Sequence, residues 1–231
     1  MSMTTSCFKQ LLFLAIFVFF CNKGKAQEDF TVLLEPEFSL NIDSPNRWSY
    51  NFGLSNRDLI YANEESIFEV RHVEITHFSS YEIGFYSKIS LGFRYRFREV
   101  FNENLEDEKR FIQQYGHSRK YNALKIAHRV RLEERFREHT TFRTRYEFSV
   151  EMPLSGLRVD QKEFFLVADS EALWSMGKFE KPSFEHRIGL SIGNDIGRKT
   201  KAILGLEFRY TDYTNQPESE LFIQTGISVN L

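Results

Sequence analysis

The chain has 231 residues, of which 42% are hydrophobic, 16% are aromatic and 27% are charged. Its 30 lysines and arginines stand against 32 acidic residues, giving a formal net charge of −2. This balance argues against a nucleic-acid partner, whose binding needs a basic surface. Because no Pro/Gly-rich linker or low-complexity tract follows the N-terminal segment, the sequence predicts a single domain.

The N-terminal segment has the pattern of a secretory signal peptide. Lys9 precedes the apolar run Leu11–Phe20, which is too short to span a bilayer as a helix. Gly24 and Ala26 are small residues at the positions that a signal peptidase needs. We therefore expect residues 1–26 to be cleaved; a retained membrane anchor is the alternative.

The mature domain is expected to span residues 27–231 and to contain no disulfide, because Cys7 and Cys21 both precede it. Removal of the signal takes away three lysines and no acid, which leaves 27 basic against 32 acidic residues and a net charge of −5. An exported domain without disulfides must be stabilised in another way.

Ten segments alternate between apolar and polar residues in the manner of β-strands. Many are longer than the about five to six residues of a typical strand, and approach the about nine to eleven that span an outer membrane. In chain order they are Phe30–Leu40, Arg47–Tyr61, Ile67–Phe78, Ile83–Arg98, Asn122–Phe136, Thr141–Met152, Glu163–Trp174, Phe184–Asn194, Thr200–Tyr213 and Glu220–Leu231.

Two of these regions are ambiguous. The faces of Ile67–Phe78 do not separate cleanly into apolar and polar. The longest connection contains an acidic stretch, Asn102–Arg110, that resembles a loop tip, and the segment Phe111–His117 is either loop or an eleventh strand. Since bacterial single-chain barrels have even strand numbers, we expect about ten strands, with twelve as the alternative.

The polar face of the stronger segments is rich in arginine and acid. In Ile89–Glu99 every second residue is apolar, and three arginines stand between them. In a transmembrane barrel the apolar face meets lipid, and the guanidinium forks on the other face pair with carboxylates in the lumen. The predicted lumen network consists of Arg94, Arg96, Arg98, Arg129, Arg131, Glu133, Arg135, Arg143, Arg145, Glu147, Glu151, Asp169, Glu171, Glu185, Arg187, Glu207 and Arg209.

Neighbouring strands suggest specific partners within this network. We expect the arginines of the fifth segment to lie near Glu147 and Glu151, and Arg143 and Arg145 to lie near Glu133 on one side and Asp169 or Glu171 on the other. The alternative fold is a soluble β-sandwich or lipocalin-like barrel. Aromatic residues near the strand ends favour the membrane barrel: Trp48, Tyr50, Tyr61, Tyr95, Tyr146, Trp174, Tyr210 and Tyr213.

The C-terminus resembles the signal that is read by the barrel-assembly machinery. Gln224 is followed two residues later by Gly226, and the alternate apolar residues Val229 and Leu231 end the chain; the usual last residue is aromatic, so Leu231 departs from the pattern. The predicted location is the Gram-negative outer membrane. The predicted partners are outer-membrane lipid and the assembly machinery, and the oligomeric state is left open.

Several local patterns, in the expected order over most of the mature chain, resemble a family of bacterial outer-membrane β-barrels catalogued as domain of unknown function 2490. The resemblance implies an outer-membrane barrel and brings no substrate and no catalytic residues. His128–Phe136 is similar to the family's R-x-R-L-E-x-R-F strand, and the other matching stretches are Gly92–Phe97, Phe142–Leu154, Ala168–Trp174, His186–Gly193 and Leu204–Tyr210.

No recognisable nucleophile or metal motif surrounds any of the six histidines, His72, His77, His117, His128, His139 and His186. We expect no catalytic residue, no metal and no cofactor. Three functions remain: a barrel with a plugged, charged lumen that serves as a surface or structural component, a narrow channel for small anionic solutes, and a barrel enzyme acting on lipid or peptide. The many acids facing the arginines favour the plugged lumen.

Overall fold

The structure of the protein, a computed structural model, describes residues 30–98, 106–178 and 180–231. The predicted signal peptide lies outside these residues. None of the described residues belongs to a helix long and apolar enough to cross a membrane. The described strands are β1 (Phe30–Asp43), β2 (Trp48–Ala62), β3 (Glu65–Ile83), β4 (Ser87–Arg98), β5 (Glu108–Tyr121), β6 (Leu124–Phe136), β7 (Thr141–Pro153), β8 (Phe164–Gly177), β9 (Ser183–Gly197), β10 (Thr200–Thr211) and β11 (Glu218–Asn230).

The strands form one closed barrel in which sequence neighbours pair with each other. This confirms the predicted all-β barrel, but with eleven described strands the expected even number is wrong. Consecutive strands alternate in direction, so an odd count leaves β1 and β11 pointing the same way. They close the barrel as a parallel pair, from Phe30 opposite Ser219 to Asn41 opposite Asn230.

The additional strand is β5, which contains the ambiguous segment Phe111–His117 and also the end of the stretch predicted as a loop tip. In this strand the apolar Ile112 faces inward and is fully buried, whereas the charged Lys109 faces outward and is exposed. Both are the reverse of the usual pattern in the other strands. This mixture hides the alternation in the sequence. β5 pairs antiparallel with both β4 and β6, so it is an integral part of the barrel wall.

The irregular faces of β3 have a structural cause. The pairing of β2 with β3 shifts register between Arg57 and Asp58 and again between Leu59 and Tyr61. Each irregularity changes which side of the sheet the following residues face. β3 is also longer than predicted and ends at Ile83, which the sequence had assigned to the next strand.

The barrel is polar inside and apolar outside. Among the residues that the structure describes, six hydrophobic ones are buried, against eighteen polar or charged ones. The outward residues of β4 alone include Ile89, Leu91, Phe93 and Phe97, all more than a third exposed. A soluble β-protein has the opposite arrangement, with its apolar residues in the core.

The two ends of the barrel are called here the N-terminal mouth, where β1 begins, and the C-terminal mouth, where β11 ends. Aromatic side chains contact each other on the outer surface near both. At the C-terminal mouth the Trp48 and Tyr81 rings lie 5.1 Å apart. At the N-terminal mouth Trp174 and Phe184 stack at 6.1 Å, and Phe184 lies 6.0 Å from Tyr213.

Candidate functional site: the charged lumen

Two fully buried carboxylates organise the arginines of β4 to β7. The Glu108 side chain is 0% exposed; it accepts a hydrogen bond from Arg135 at 2.9 Å and others from Arg110 and Arg137. The Glu133 side chain is also 0% exposed, with Arg145 at 3.1 Å, Arg110 at 3.5 Å and Arg131 at 3.8 Å. Each carboxylate is therefore shared by at least three guanidinium groups.

The ion pairs continue from these carboxylates in both directions around the barrel. Toward β3, Arg96 links Glu108 to Glu74, which also contacts Arg94 at 3.1 Å. Toward β9, Arg145 lies 3.4 Å from Glu171, which lies 3.4 Å from Arg187. Arg187 in turn contacts Glu185 at 2.5 Å, so a connected series of charges crosses seven strands. We call it the charge network.

A smaller cluster completes the circle. Glu35 on β1 contacts Arg57 on β2 at 2.6 Å and Arg209 on β10 at 2.9 Å, and Arg209 also pairs with Glu207. β11 supplies the fully buried Phe222, whose ring centre lies 4.7 Å from the Arg57 guanidinium carbon and 3.4 Å from that of Arg209. Every strand of the barrel thus contributes a side chain to this level of the lumen.

The structure brings together most of the residues that the sequence assigned to the lumen. Several of them contact partners other than the predicted ones. Arg129 contacts Glu147, as expected from the strand order. Arg135 contacts Glu108 rather than Glu147 or Glu151, and Glu151 contacts Lys125 at 3.4 Å.

The surroundings of three other predicted residues, Arg143, Asp169 and Arg98, complete the comparison. Arg143 donates to Ser175 at 2.8 Å and lies 4.0 Å from Glu185. Asp169 has no ion-pair partner within 4.0 Å among the described residues, and a Cβ at Gly189 would meet its carboxylate. Arg98 is the last residue of β4 and shares the inward parity of Arg94 and Arg96.

Sequence reasoning missed Glu74, Glu108, Arg110 and Arg137 of the charge network, and Glu35 and Arg57 of the smaller cluster. Glu74 and Arg57 lie beside the register shifts of β2 and β3, which disturb the alternation. Glu108 and Arg110 lie at the start of β5, in the stretch taken for a loop tip. Glu35 precedes Pro36 on β1. This strand carries few other charges, so its sequence lacks the arginine-rich polar face that marked the other lumen residues.

The lumen charges are divided between two walls. Away from the rims, β4 to β7 carry eight arginines and three glutamates, whereas the remaining strands carry eight acids and three arginines. The first wall has Arg94, Arg96, Arg110, Arg129, Arg131, Arg135, Arg143 and Arg145 with Glu108, Glu133 and Glu147; the second has Glu35, Glu37, Glu74, Asp169, Glu171, Glu185, Glu207 and Glu220 with Arg57, Arg187 and Arg209.

A polar cavity of about 320 Å³ separates parts of these walls, lined by ten arginines and eight glutamates. Toward the C-terminal mouth the inward residues are mostly small. Gly92 faces the Phe78 ring and Gly193 faces the Phe165 ring so closely that an added Cβ would overlap either ring. The N-terminal half of the lumen is therefore lined mainly by charged side chains, and the C-terminal half has more small residues and a few rings.

The histidines form contacts that the sequence did not reveal. His77 and Ser79 lie 3.0 Å apart, and His186 and Ser170 also lie 3.0 Å apart on neighbouring strands. Serine-histidine catalysis needs a third polar group that orients the imidazole. The buried Nδ1 of His77 has no hydrogen-bond partner among the described residues, so this pair lacks that group.

The fold and the lumen together define an inside-out β-barrel, with an apolar outer surface and a charged interior. The chain belongs to the family described as protein of unknown function (DUF2490), whose sequence model matches residues 32–220. The suspected family resemblance is thereby confirmed. No curated protein matches the chain.

Among solved structures, the barrel is similar to an anion-selective porin from Comamonas acidovorans, with 14% sequence identity and a TM-score of 0.40. The similarity covers 80% of this chain and 55% of the porin chain, so the present protein spans about half of the porin's length. Anion selectivity is a property of that porin.

Proposed function

We propose that the protein is an outer-membrane β-barrel whose lumen is closed in its N-terminal half by the charge network, and that it serves as a surface or structural component. The outer surface supports the membrane location. On β4 the outward apolar residues run from Ile89 to Phe97, about 26 Å along a strand at about 3.3 Å per residue. A tilt of about 40° reduces this to about 20 Å across the membrane, close to the about 25 Å apolar band of such barrels.

Closure of the lumen is supported by one observation above all: the carboxylates of Glu108 and Glu133 are 0% exposed. A carboxylate that lined an open aqueous pore would be hydrated. These two are instead surrounded by guanidinium groups, which compensate the desolvation of the charge. Around these two carboxylates, guanidinium groups take the place that water has beside an exposed carboxylate, and this supports closure at their level.

The membrane location is tested by fractionation and gel mobility. The mature protein should sediment with the outer membrane and migrate faster unboiled than boiled in detergent, because a closed barrel stays compact until it is heated. Recovery in the soluble periplasmic fraction would refute this location.

Closure is tested by the accessibility of introduced thiols, because the only cysteines of the chain are Cys7 and Cys21. Ser149→Cys places a thiol on the C-terminal side of the network, and Thr211→Cys places one on the N-terminal side. In vesicles with one orientation, a charged, membrane-impermeant thiol reagent should reach each position from one side only, and from opposite sides for the two variants. Labelling of both positions from both sides would show an open lumen.

The second candidate function is a narrow channel for small anions. The cavity of about 320 Å³ supports it, because its ten arginines exceed its eight glutamates by two. A continuous water path past this cavity would favour anions through the excess positive charge. The same thiol experiment separates the two functions, since a channel admits the reagent from either side.

A further inference from the structure

The C-terminal half of the lumen contains a second cavity, of about 380 Å³, that we call the vestibule. Four cationic side chains line it, Lys88, Arg94, Arg129 and Arg131, against one acid, Glu37. Its volume falls within the about 300–1,000 Å³ of small-molecule sites. Unlike the charge network, the vestibule has a clear excess of positive charge.

Two of the four vestibule cations, Lys88 and Arg131, are poorly neutralised by the protein, whereas Arg94 pairs with Glu74 at 3.1 Å and Arg129 pairs with Glu147. Lys88 has no carboxylate within 4.0 Å among the described residues, and its aliphatic stem lies against Gly116. Arg131 donates to the neutral amide oxygen of Gln114 at 2.8 and 3.1 Å. Its nearest carboxylate, Glu133 at 3.8 Å, is shared with two other arginines.

The vestibule is accessible from the C-terminal mouth. A neighbouring cavity of about 520 Å³, bounded by the turn between β3 and β4, shares Lys88, Gln114 and Arg129 with it. Neutral groups complete the lining: Asn51 donates to Asn41 at 2.8 Å, and the Ser80 and Ser90 hydroxyls lie 2.7 Å apart. Amides and hydroxyls of this kind hydrogen-bond the polar, uncharged part of a solute.

We propose that the vestibule binds a small solute carrying a phosphate or carboxylate group, which enters through the C-terminal mouth. Lys88 and Arg129 contact the anionic group, and Arg131, held by Gln114, lies at the base of the site. Where the charge network closes the lumen as proposed above, the vestibule ends blindly and the protein retains the anion instead of passing it. This binding site goes beyond the structural role proposed above and does not require the lumen to be closed.

Titration calorimetry of the purified barrel in a non-ionic detergent tests the site, with inorganic phosphate and citrate as the anionic probes and glucose as the neutral one. The wild type should bind at least one of the anions saturably and should not bind glucose. Loss of one cation removes a charge-assisted hydrogen bond and should weaken binding about tenfold or more. Lys88→Gln and Arg129→Gln are the test variants.

Two further variants make the result decisive. Arg71→Gln removes a positive charge from the exposed pair with Glu69, outside the lumen, and should leave anion affinity unchanged. Gln114→Glu adds a carboxylate beside Arg131, and should abolish anion binding in a barrel that keeps its heat-modifiable mobility. Absence of saturable binding of both anions, or equal affinity in wild type and in the vestibule variants, would overturn the proposal.

Discussion

Glu133→Gln is the substitution that examines the charge network most sharply. The change keeps the size of the side chain and one acceptor oxygen but removes the negative charge. Three buried arginines, Arg110, Arg131 and Arg145, lie within 3.8 Å of this carboxylate. Breaking a fully buried ion pair costs about 3–5 kcal/mol, because the remaining charge stays desolvated and uncompensated.

Glu147→Gln is the matched control. It removes the same charge by the same change, from the neighbouring strand of the same wall. Its partner Arg129 has a side chain that is 38% exposed, so water replaces the lost contact. Exposed pairs of this kind contribute about 1 kcal/mol or less. The Glu147 side chain is 18% exposed against 0% for Glu133, so Glu147 is the more hydrated of the two carboxylates.

Equilibrium unfolding in urea, with each variant folded into lipid vesicles, gives the two free energies of unfolding. Glu133→Gln should lower the value by at least about 2 kcal/mol more than Glu147→Gln does. Similar small losses for both variants would mean that water reaches Glu133, and the closed lumen would then be wrong.

Three further predictions follow from the outer face and from the packing. Leu132→Arg, on the lipid-facing side, should cost about 2–4 kcal/mol and impair assembly, whereas Ser149→Arg, in the wide C-terminal mouth, should cost clearly less in the same urea assay. Gly193→Ala should lower stability by about 1–3 kcal/mol because the new Cβ overlaps the Phe165 ring, whereas Gly116→Ala, with its nearest contact at 3.7 Å, should have little effect on the unfolding midpoint. Phe222→Leu should destabilise the barrel more than the loss of buried apolar area implies, because it removes the ring between two guanidinium groups. Comparing the unfolding free energies of Phe222→Leu and Phe165→Leu measures the difference.

The regular strands could be predicted from sequence because each carries its own alternation. Along β7, β9 and β10 most outward residues are apolar and most inward ones are charged or small, as at Ile188, Leu190 and Ile192. The period of two is a local property, and it needs no knowledge of neighbouring strands. The family resemblance rests on these strands and on β4, β6 and β8.

The count of strands and the ion-pair partners depend on non-local geometry. β5 has Ile112 on its inward side, so its sequence lacks a clean pattern, and its acidic start resembles a loop. Because β5 lies between β4 and β6, β6 has β5 as a neighbour as well as β7. Arg135 on β6 therefore contacts Glu108 on β5 instead of an acid on β7. The register shifts of β2 and β3 similarly conceal Glu74. Both effects come from pairing between strands, which a single segment does not encode.

The closed lumen is tested most directly by ionic current through single barrels in a planar bilayer. If the charge network closes the N-terminal half of the lumen as proposed, the wild-type protein should insert and pass no steady current above the bare membrane. Insertion should be verified independently, by protease protection of the same preparation in vesicles. A reproducible steady conductance of the wild type, above all one that prefers anions, would contradict the closed barrel and establish the channel in its place.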